Sequence, residues 1–387
     1  MTNPDQIWAE AVRVLERGKP FVLATVVNVR GSTPREVGAK MIVREDGQFG
    51  TIGGGCGEAE VFRKARVLLE ERGASRLAEV RAAGGLETFL AGLDAAPVAA
   101  VPELANAQHY ELPVEFFRLL LGRRLKYSSG FWGPGVANLD AAEAAMLDQT
   151  VERARLADGQ SVLELGCGWG SLSLHLAERF PHSLIVAVSN SRTQGAFVRA
   201  RAPANLEVVT ADMNGFDPGR RFDRIVSVEM FEHMRNWAAL LARIAGWLED
   251  DGRLFVHVFC HAREAYAFEA DGRDDWMARH FFTGGIMPAF GLLPRLAGPL
   301  AVEARWWLDG RHYQRTAEAW RRHLEDRRDA VLRVMGAHYG RRQRRLWFNR
   351  WRLFLLAVEE LFGYAGGSEW GLGHYLLARA TGPAAAP

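Results

Sequence analysis

From about residue 106 onward, short apolar runs recur along the chain with helical periodicity between them. Ser161–Leu165, Ser183–Ser189, Leu206–Thr210, Phe222–Val228 and Arg253–Phe259 each read as a buried strand. Segments 170–179, 191–201 and 236–248 carry the 3.6-residue pattern of helices. Strands alternating with helices predict a parallel sheet covered on both faces. Val302–Leu308 and Tyr375–Ala380 read as two further strands, with a long helical insertion, 316–362, between them. The irregular segment 261–300 follows the fifth strand and has the position of a lid. In sheets of this kind ligands bind at the carboxyl ends of the strands.

The first part of the chain has a different rhythm. Residues 7–17 read as an amphipathic helix and Phe21–Val29 as a strand. Lys40–Val43 and Gln48–Ile52 flank Asp46-Gly47, a hairpin signal, and Glu58–Glu71 is helical. Residues 82–105 are rich in Ala, Gly and Pro with little charge, which reads as a linker or a loosely helical connection. The expected organisation is an α+β segment over 1–80, a linker over 81–105 and an α/β domain over 106–387.

Composition narrows the function classes. The chain has 387 residues, 48% apolar and 24% charged, with a net charge of +2. That balance gives no reason to expect nucleic acid as a partner. The three cysteines, Cys56, Cys167 and Cys260, form no Cys-x-x-Cys pair, so no metal site is expected and a reducing compartment, the cytoplasm, fits best. The polar start of the chain has no secretory pattern. No apolar run reaches the roughly 18 residues that span a bilayer.

The candidate chemistry sits at the strand ends. Leu-Glu-Leu-Gly-Cys-Gly-Trp-Gly-Ser (163–171) is a glycine-rich turn between the first strand and its helix. It lets the backbone approach a ligand closely, and its glycine spacing is not that of a phosphate loop. Glu164 precedes it, where a carboxylate can meet a cationic group. Asn190 and Gln194 follow the second strand and can bond ribose hydroxyls, although Asn190 could equally cap the next helix. Asp212 and Met213 follow the third strand, suited to an adenine amino group and ring; a solvated strand-end Asp is the alternative. Glu-Met-Phe-Glu-His-Met (229–234) ends the fourth strand. Two carboxylates and an imidazole at that mouth are suited to taking a proton from a substrate.

The glycine turn resembles motif I of the S-adenosylmethionine-dependent methyltransferases. The resemblance extends over 109–387 to the cyclopropane-fatty-acid synthase family, and within it to the coclaurine N-methyltransferase branch. The matching stretches run in order: His-Tyr-Glu-Leu-Pro (109–113), Lys-Tyr-Ser-Ser-Gly-Phe-Trp (126–132), Leu-Gly-Cys-Gly-Trp-Gly (165–170) and Glu-Met-Phe-Glu-His-Met. Then come Phe-Val-His-Val-Phe-Cys-His (255–261), Phe-Phe-Thr-Gly-Gly-Ile-Met-Pro (281–288), Gly-Arg-His-Tyr (310–313) with Thr316 and Trp320, and Phe-Gly-Tyr (362–364) with Glu369-Trp370. The resemblance implies a Rossmann-like class I methyltransferase sheet with helices on both faces, and S-adenosylmethionine as cofactor. It implies that Tyr127, Ser128, Glu164, Gly166, Gly168, Gly170, Asn190, Gln194, Asp212 and Met213 form the cofactor pocket. Glu229, Glu232 and His233 match the set that handles the substrate amine in the N-methyltransferase branch. His257 and Tyr313 match active-site positions of the lipid branch.

Departures separate the branches. The cyclopropane synthases resemble one another in a Tyr-Ser-Cys motif whose Cys helps hold a bicarbonate; here Ser129 stands in that place. The expected substrate is a small-molecule amine, with phospholipid acyl chains as the alternative. Glu232 and His233 are expected to bind the ammonium and accept its proton, with Glu229 orienting or stabilising the cation. Phe131, Trp132, Phe281, Phe282 and Trp370 could wall the pocket, or could be ordinary core.

Two further features stand apart. Residues 20–70 resemble the N-terminal segment of the XdhC/CoxI family, on Leu-Ala-Thr-Val-Val (23–27), Gly-Ser-Thr-Pro-Arg (31–35), Gly-Ala-Lys-Met (38–41) and Gly-Gly-Gly-Cys-Gly-Glu-Ala (53–59). That resemblance implies molybdenum-cofactor handling, with Cys56 either a ligand or a packed small residue. Six arginines lie within 341–352 beside Trp347, Phe348 and Trp351. They read as a solvated helix face with its aromatics inward, the alternative being peripheral contact with an anionic membrane.

Overall fold

A computed structural model describes residues 6–7, 10, 13–14, 21–26, 39–44, 46–53, 55–70, 85–93, 97–99, 112–268 and 278–380. The chain divides into two compact units, Met1–Ala82 and Ala83–Pro387.

In the first unit β1 (Phe21–Thr25), β2 (Lys40–Arg44) and β3 (Gly47–Gly50) form an antiparallel sheet in that order, followed by α1 (Gly55–Glu70). Alternation decides its packing. Met41 and Val43 point to one face, with Ala65 of α1, while Ile42 points to the other, with Ile7. The Glu58 carboxylate accepts the Ile52 and Gly53 N–H groups at 2.9 and 3.1 Å, fixing the turn that leads into α1. The Gly-Ser-Thr-Pro-Arg motif and the Cys56 side chain lie outside the described residues.

The second unit starts earlier than expected. The stretch read as a linker or a loosely helical connection contains α2 (Gly85–Leu93), with Leu86, Phe89, Leu90 and Leu93 at helical spacing against the core of the unit. Arg295 clamps Glu87 on α2 at 2.5 and 2.8 Å. Ala99 bridges Met234 and exchanges hydrogen bonds with the Asn214 side chain.

After α3 (Val114–Leu120) and α4 (Leu139–Arg153), the sheet begins with β4 (Ser161–Leu165), α5 (Ser171–Arg179), β5 (Leu184–Ser189), α6 (Arg192–Arg199) and β6 (Leu206–Thr210). It continues with β7 (Phe222–Val228), a 3₁₀ turn at Phe231–His233, α7 (Trp237–Trp247) and β8 (Leu248–His261). An antiparallel pair of β9 (Tyr266–Ala267) and β10 (Ile286–Met287), then α8 (Leu292–Leu296), lie in the segment 261–300. The chain then runs through β11 (Leu300–Asp309), helices α9 (Arg311–Asp326), α10 (Arg328–Tyr339) and α11 (Arg344–Gly363), and β12 (Trp370–Arg379).

The seven strands order as β11-β12-β8-β7-β4-β5-β6. β6, β5, β4, β7 and β8 are parallel, and β12 lies antiparallel between β8 and β11. The order of connection reverses between β4 and β7, which opens a crevice at their carboxyl ends. Strand β8 begins five residues before the apolar run suggested, since Leu248 already pairs with Phe222 across an irregular register. Among the described residues no helix is long and apolar enough to cross a membrane. In α11 Phe348 and Trp351 are buried and point inward, Trp347 is half-buried and stacks on Tyr339, and Arg352 pairs with Glu325.

Candidate active site

The glycine turn between β4 and α5 is built by backbone freedom. Gly166 and Gly168 have φ of 83° and 53°, conformations costly for other residues. The N–H groups of Gly166 and Cys167 both donate to Val188 O, at 3.0 and 2.8 Å, which ties the turn to β5. A Cβ on Gly166 would lie 2.7 Å from Met230 Cγ, so the turn packs on the segment after β7. A Cβ on Gly168 would meet nothing within 4 Å; that position opens onto a cleft of about 1210 Å³, its solvent-filled mouth included.

Tyr127, Ser128, Glu164, Gly166, Gly168, Asn190, Gln194, Asp212 and Met213 all line this cleft. Gly170 does not: it backs onto α6, where a Cβ would come 2.9 Å from Val198 Cγ2, and its role is packing. Asn190 does not cap α6, because Ser191 does, accepting the Gln194 N–H at 3.2 Å. Gln194 is buried and its side-chain Nε2 lacks a partner, a donor available to a ligand. Asp212 lies on the exposed rim and accepts the Asn214 N–H at 2.9 Å.

The cleft is acidic beneath its floor. Glu164 is buried and accepts the Ser173 hydroxyl, yet burial outweighs that bond and raises its pKa to about 7. Lys126 is buried too, donating to Ser128 Oγ at 2.5 Å and Ser129 O at 2.8 Å; burial lowers its pKa to about 8. Glu143 on α4 fixes the loop leading to Lys126 by accepting the Gly122 and Arg124 N–H groups, at 2.8 and 3.0 Å. Lys126 is a site residue the motif reading passed over, although it directly precedes the Tyr-Ser pair. A cationic sulfonium cofactor with a ribose and an adenine fits this set: buried carboxylates, an unpartnered amide donor and open glycine backbone. Its affinity should rise from about pH 6 to about pH 7.5, because Glu164 must ionise to attract a cation and its pKa is raised. Titration calorimetry across that range checks this, and Glu164→Gln should flatten the dependence.

Beside this cleft lies a second cavity of about 460 Å³, lined by Tyr127, Glu229, His233, Phe259, Phe282, Tyr313, Trp320, Phe354 and Val358. Tyr127, Glu229 and His233 belong to both cavities. The aromatic wall is therefore not the expected one. Only Phe282 of the five candidates lines it. Phe281 is buried and stacks on Phe354, Phe131 stacks on His312, Trp132 Nε1 donates to Thr316, and Trp370 donates to Tyr266.

Glu229 follows β7 with φ 47°, a left-handed conformation unusual for a side-chain-bearing residue, held by its N–H on His257 O at 2.8 Å. Its Oε1 accepts the Ser129 N–H at 2.9 Å and its Oε2 accepts the Tyr313 hydroxyl at 2.8 Å. Burial raises its pKa, and Lys126, Ser129, Tyr313 and His233 oppose that rise. His233 leans on the Phe282 ring at 4.9 Å, and burial pushes its pKa down to about 4, so it is neutral at physiological pH.

Two expectations are revised here. Glu232 does not reach either cavity: its Oε1 accepts the Phe259 N–H at 2.6 Å, and burial with Glu229 close by drives its pKa well up. Its role is to hold the 3₁₀ turn against β8. Glu232→Ala should lower thermal stability, since the buried Phe259 N–H loses its acceptor at about 1–3 kcal/mol, while Glu232→Gln keeps an acceptor and costs less. Thermal unfolding of the two variants checks this. His257 likewise lies behind Glu229, with Nε2 3.3 Å from Glu229 Oε1, and lines neither cavity.

The strand order, the glycine turn at the reversal point and the acidic cleft beside it define a class I S-adenosylmethionine-dependent methyltransferase. The chain belongs to the family described as mycolic acid cyclopropane synthetase, which matches residues 101–365. It is similar to (S)-coclaurine N-methyltransferase of Thalictrum flavum subsp. glaucum, 36% identical over 288 residues, covering 72% of this chain and 80% of the relative. It is 29% identical over 219 residues to cyclopropane-fatty-acyl-phospholipid synthase of Escherichia coli strain K12, covering 56% of this chain and 55% of that one. The crystal structure of coclaurine N-methyltransferase bound to N-methylheliamine and SAH superposes with a TM-score of 0.75 at 32% identity, covering 84% of this chain and 95% of that chain. SAH is the demethylated product of S-adenosylmethionine. Residues 14–80 match the XdhC and CoxI family.

Proposed function

We propose that this chain transfers a methyl group from S-adenosylmethionine to the nitrogen of a small aromatic amine. One observation carries the reading: Glu229 and His233 stand at the junction of the glycine-turn cleft and the aromatic cavity, lining both. When bound, the cofactor supplies a methyl group already activated on a sulfonium. Gly166, Gly168, Asn190, Gln194, Asp212, Met213, Tyr127, Ser128 and Glu164 would hold it.

The residues of the aromatic cavity then have two tasks. Tyr127, Phe259, Phe282, Tyr313, Trp320 and Phe354 exclude water and attract a cation through their ring faces. Glu229 draws the ammonium to the junction, and the neutral His233 accepts its proton, leaving a nitrogen lone pair for attack. A low pKa on His233 does not forbid this. The ammonium is buried in the same cavity, so burial penalises both charged forms, and Glu229 stabilises the imidazolium that results.

The same geometry disfavours the lipid reaction. Ser129 stands where the cyclopropane branch has the Cys that helps hold bicarbonate, and here the Ser129 N–H and Tyr313 hydroxyl are already bonded to the chain's own Glu229 carboxylate. A bicarbonate in that place would compete with that carboxylate for both donors. A reducing compartment such as the cytoplasm suits the free Cys167 and Cys260.

The test uses methyl-labelled S-adenosylmethionine with a panel of benzylisoquinoline-type amines, coclaurine among them, and in parallel with vesicles of unsaturated phospholipid. Label on an amine nitrogen is expected. Label found only in lipid overturns the reading.

A further inference from the structure

Behind Glu229 lies a file of buried polar groups that the reaction above does not use. The register of β12 on β8 puts His374 directly opposite His257. Both rings are fully buried, 4.3 Å apart between centroids and inclined at 44°. On the outer side, Arg153 Nη1, from the last turn of α4, lies 2.7 Å from His374 Nδ1. Arg153 itself sits over the Trp306 ring at 5.0 Å. On the inner side, His257 Nε2 lies 3.3 Å from Glu229 Oε1.

Chemistry fixes the protons along this file. A guanidinium has only donors, so His374 Nδ1 must be a bare acceptor. Both imidazoles are neutral, since burial and the nearby cations Lys126 and Arg153 push their pKa values well down. The single proton of His374 is then on Nε2. At the other end Glu229 in its ionised form, which Lys126, the Ser129 N–H and the Tyr313 hydroxyl favour, can only accept, so His257 presents Nε2–H and its Nδ1 is bare. His374 Nε2 and both ring nitrogens of His257 are buried without a hydrogen-bond partner, His257 Nε2 standing 3.3 Å from Glu229 Oε1 but not aligned to bond it. His374 Nε2–H is thus a donor and His257 Nδ1 an acceptor on facing rings, and His257 Nε2–H is a second donor beside Glu229 Oε1. Leaving buried donors and acceptors unsatisfied is costly, and a small ring rotation or a bridging water satisfies them.

We propose that Arg153, His374 and His257 form a one-way donor chain that positions Glu229 as a hydrogen-bond acceptor. It runs from Arg153 Nη1–H to His374 Nδ1, from His374 Nε2–H to His257 Nδ1, and from His257 Nε2–H to Glu229 Oε1. None of the three lines either cavity, so they act through Glu229 as positioning residues. The chain works against burial, which favours a protonated Glu229. Lys126, Tyr313, His233 and Glu232 also face Glu229, and His312 faces His374 from α9. The effect on turnover rests on the amine reading given above; the proton positions do not.

Two measurements on the full chain test it. Two-bond ¹H–¹⁵N correlation spectra of ¹⁵N-histidine-labelled protein report each ring's tautomer, with His257→Gln and His374→Gln used for assignment. Both rings are expected with Nε2–H and bare Nδ1; Nδ1–H or an imidazolium on either ring overturns the chain. The second is the pH profile of kcat/KM for coclaurine. Arg153→Met should lower kcat roughly tenfold and move the acidic limb to higher pH, with S-adenosylmethionine affinity unchanged. Arg153→Lys, still donor-only, should restore most of both. An unshifted limb in a folded Arg153→Met overturns the positioning role, as does Arg153→Lys failing to restore it. A wild-type chain that methylates no amine refutes the functional reading instead, and the tautomers still decide the chain.

Discussion

His233→Ala lowers turnover of an amine acceptor by roughly 10²–10⁴-fold, the range for loss of a positioned proton acceptor. S-adenosylmethionine affinity should change little, because Tyr127, Ser128 and the cofactor residues on and after β4, β5 and β6 are untouched. The imidazole is neutral over the whole physiological range, with its pKa held near 4 by burial, so the proton-accepting form is always present. Activity against pH should therefore show no limb at the usual histidine value. Glu229→Gln is the companion variant. It removes the charge that draws the ammonium while keeping an acceptor for the Ser129 N–H, so KM for the amine should rise along with the fall in kcat. Steady-state kinetics with coclaurine on both variants check this. Full activity in His233→Ala means the proton leaves by another route. The depressed imidazole also has a stability cost of known sign: its folded pKa lies below the unfolded one, so its contribution is complete above about pH 6.5 and is lost as pH falls toward 4.

Gly168→Val should abolish cofactor binding, a loss of at least roughly 100-fold in affinity. Two effects act together. The backbone there has φ 53°, which a β-branched residue adopts only under strain. The new side chain also projects into the cleft the cofactor needs, since no protein atom lies within 4 Å of that Cβ position. Gly170→Ala makes a useful contrast, because its clash is with Val198 in the packing behind the turn and should appear as lost stability. Titration calorimetry with S-adenosylmethionine separates the two outcomes. Near-normal affinity in Gly168→Val would place the cofactor elsewhere.

Much of this was legible in the sequence wherever period and position agree. The strands Ser161–Leu165, Leu206–Thr210 and Phe222–Val228 stand where their apolar runs do, because parallel strands covered on both faces need near-continuous apolar runs. The glycine turn and the residues at the strand ends gathered on one cleft for the same topological reason. What was hidden depends on side-chain direction. Glu229 and Glu232 are three residues apart in one motif, yet a left-handed Glu229 and a 3₁₀ turn send one to the cavities and the other to β8. The aromatic wall draws Trp320 and Phe354 from the helical insertion, where helical spacing cannot tell a cavity lining from a core. Of the two readings of 82–105, linker or loosely helical connection, the helical one holds over Gly85–Leu93, which belongs to the second unit: Leu86, Phe89, Leu90 and Leu93 repeat at helical spacing among the alanines and glycines. His374 carried no motif at all; only the antiparallel register of β12 on β8 brings it to His257.

The central claim is that one continuous site takes a sulfonium cofactor at the glycine turn and an amine against Glu229 and His233. A crystal structure of the chain with SAH and an N-methylated benzylisoquinoline measures it most directly. The expected density has the cofactor product over Gly168 and the amine nitrogen between the Glu229 carboxylate and the His233 ring. An amine bound away from those two side chains, or SAH outside the cleft at Gly168, contradicts it.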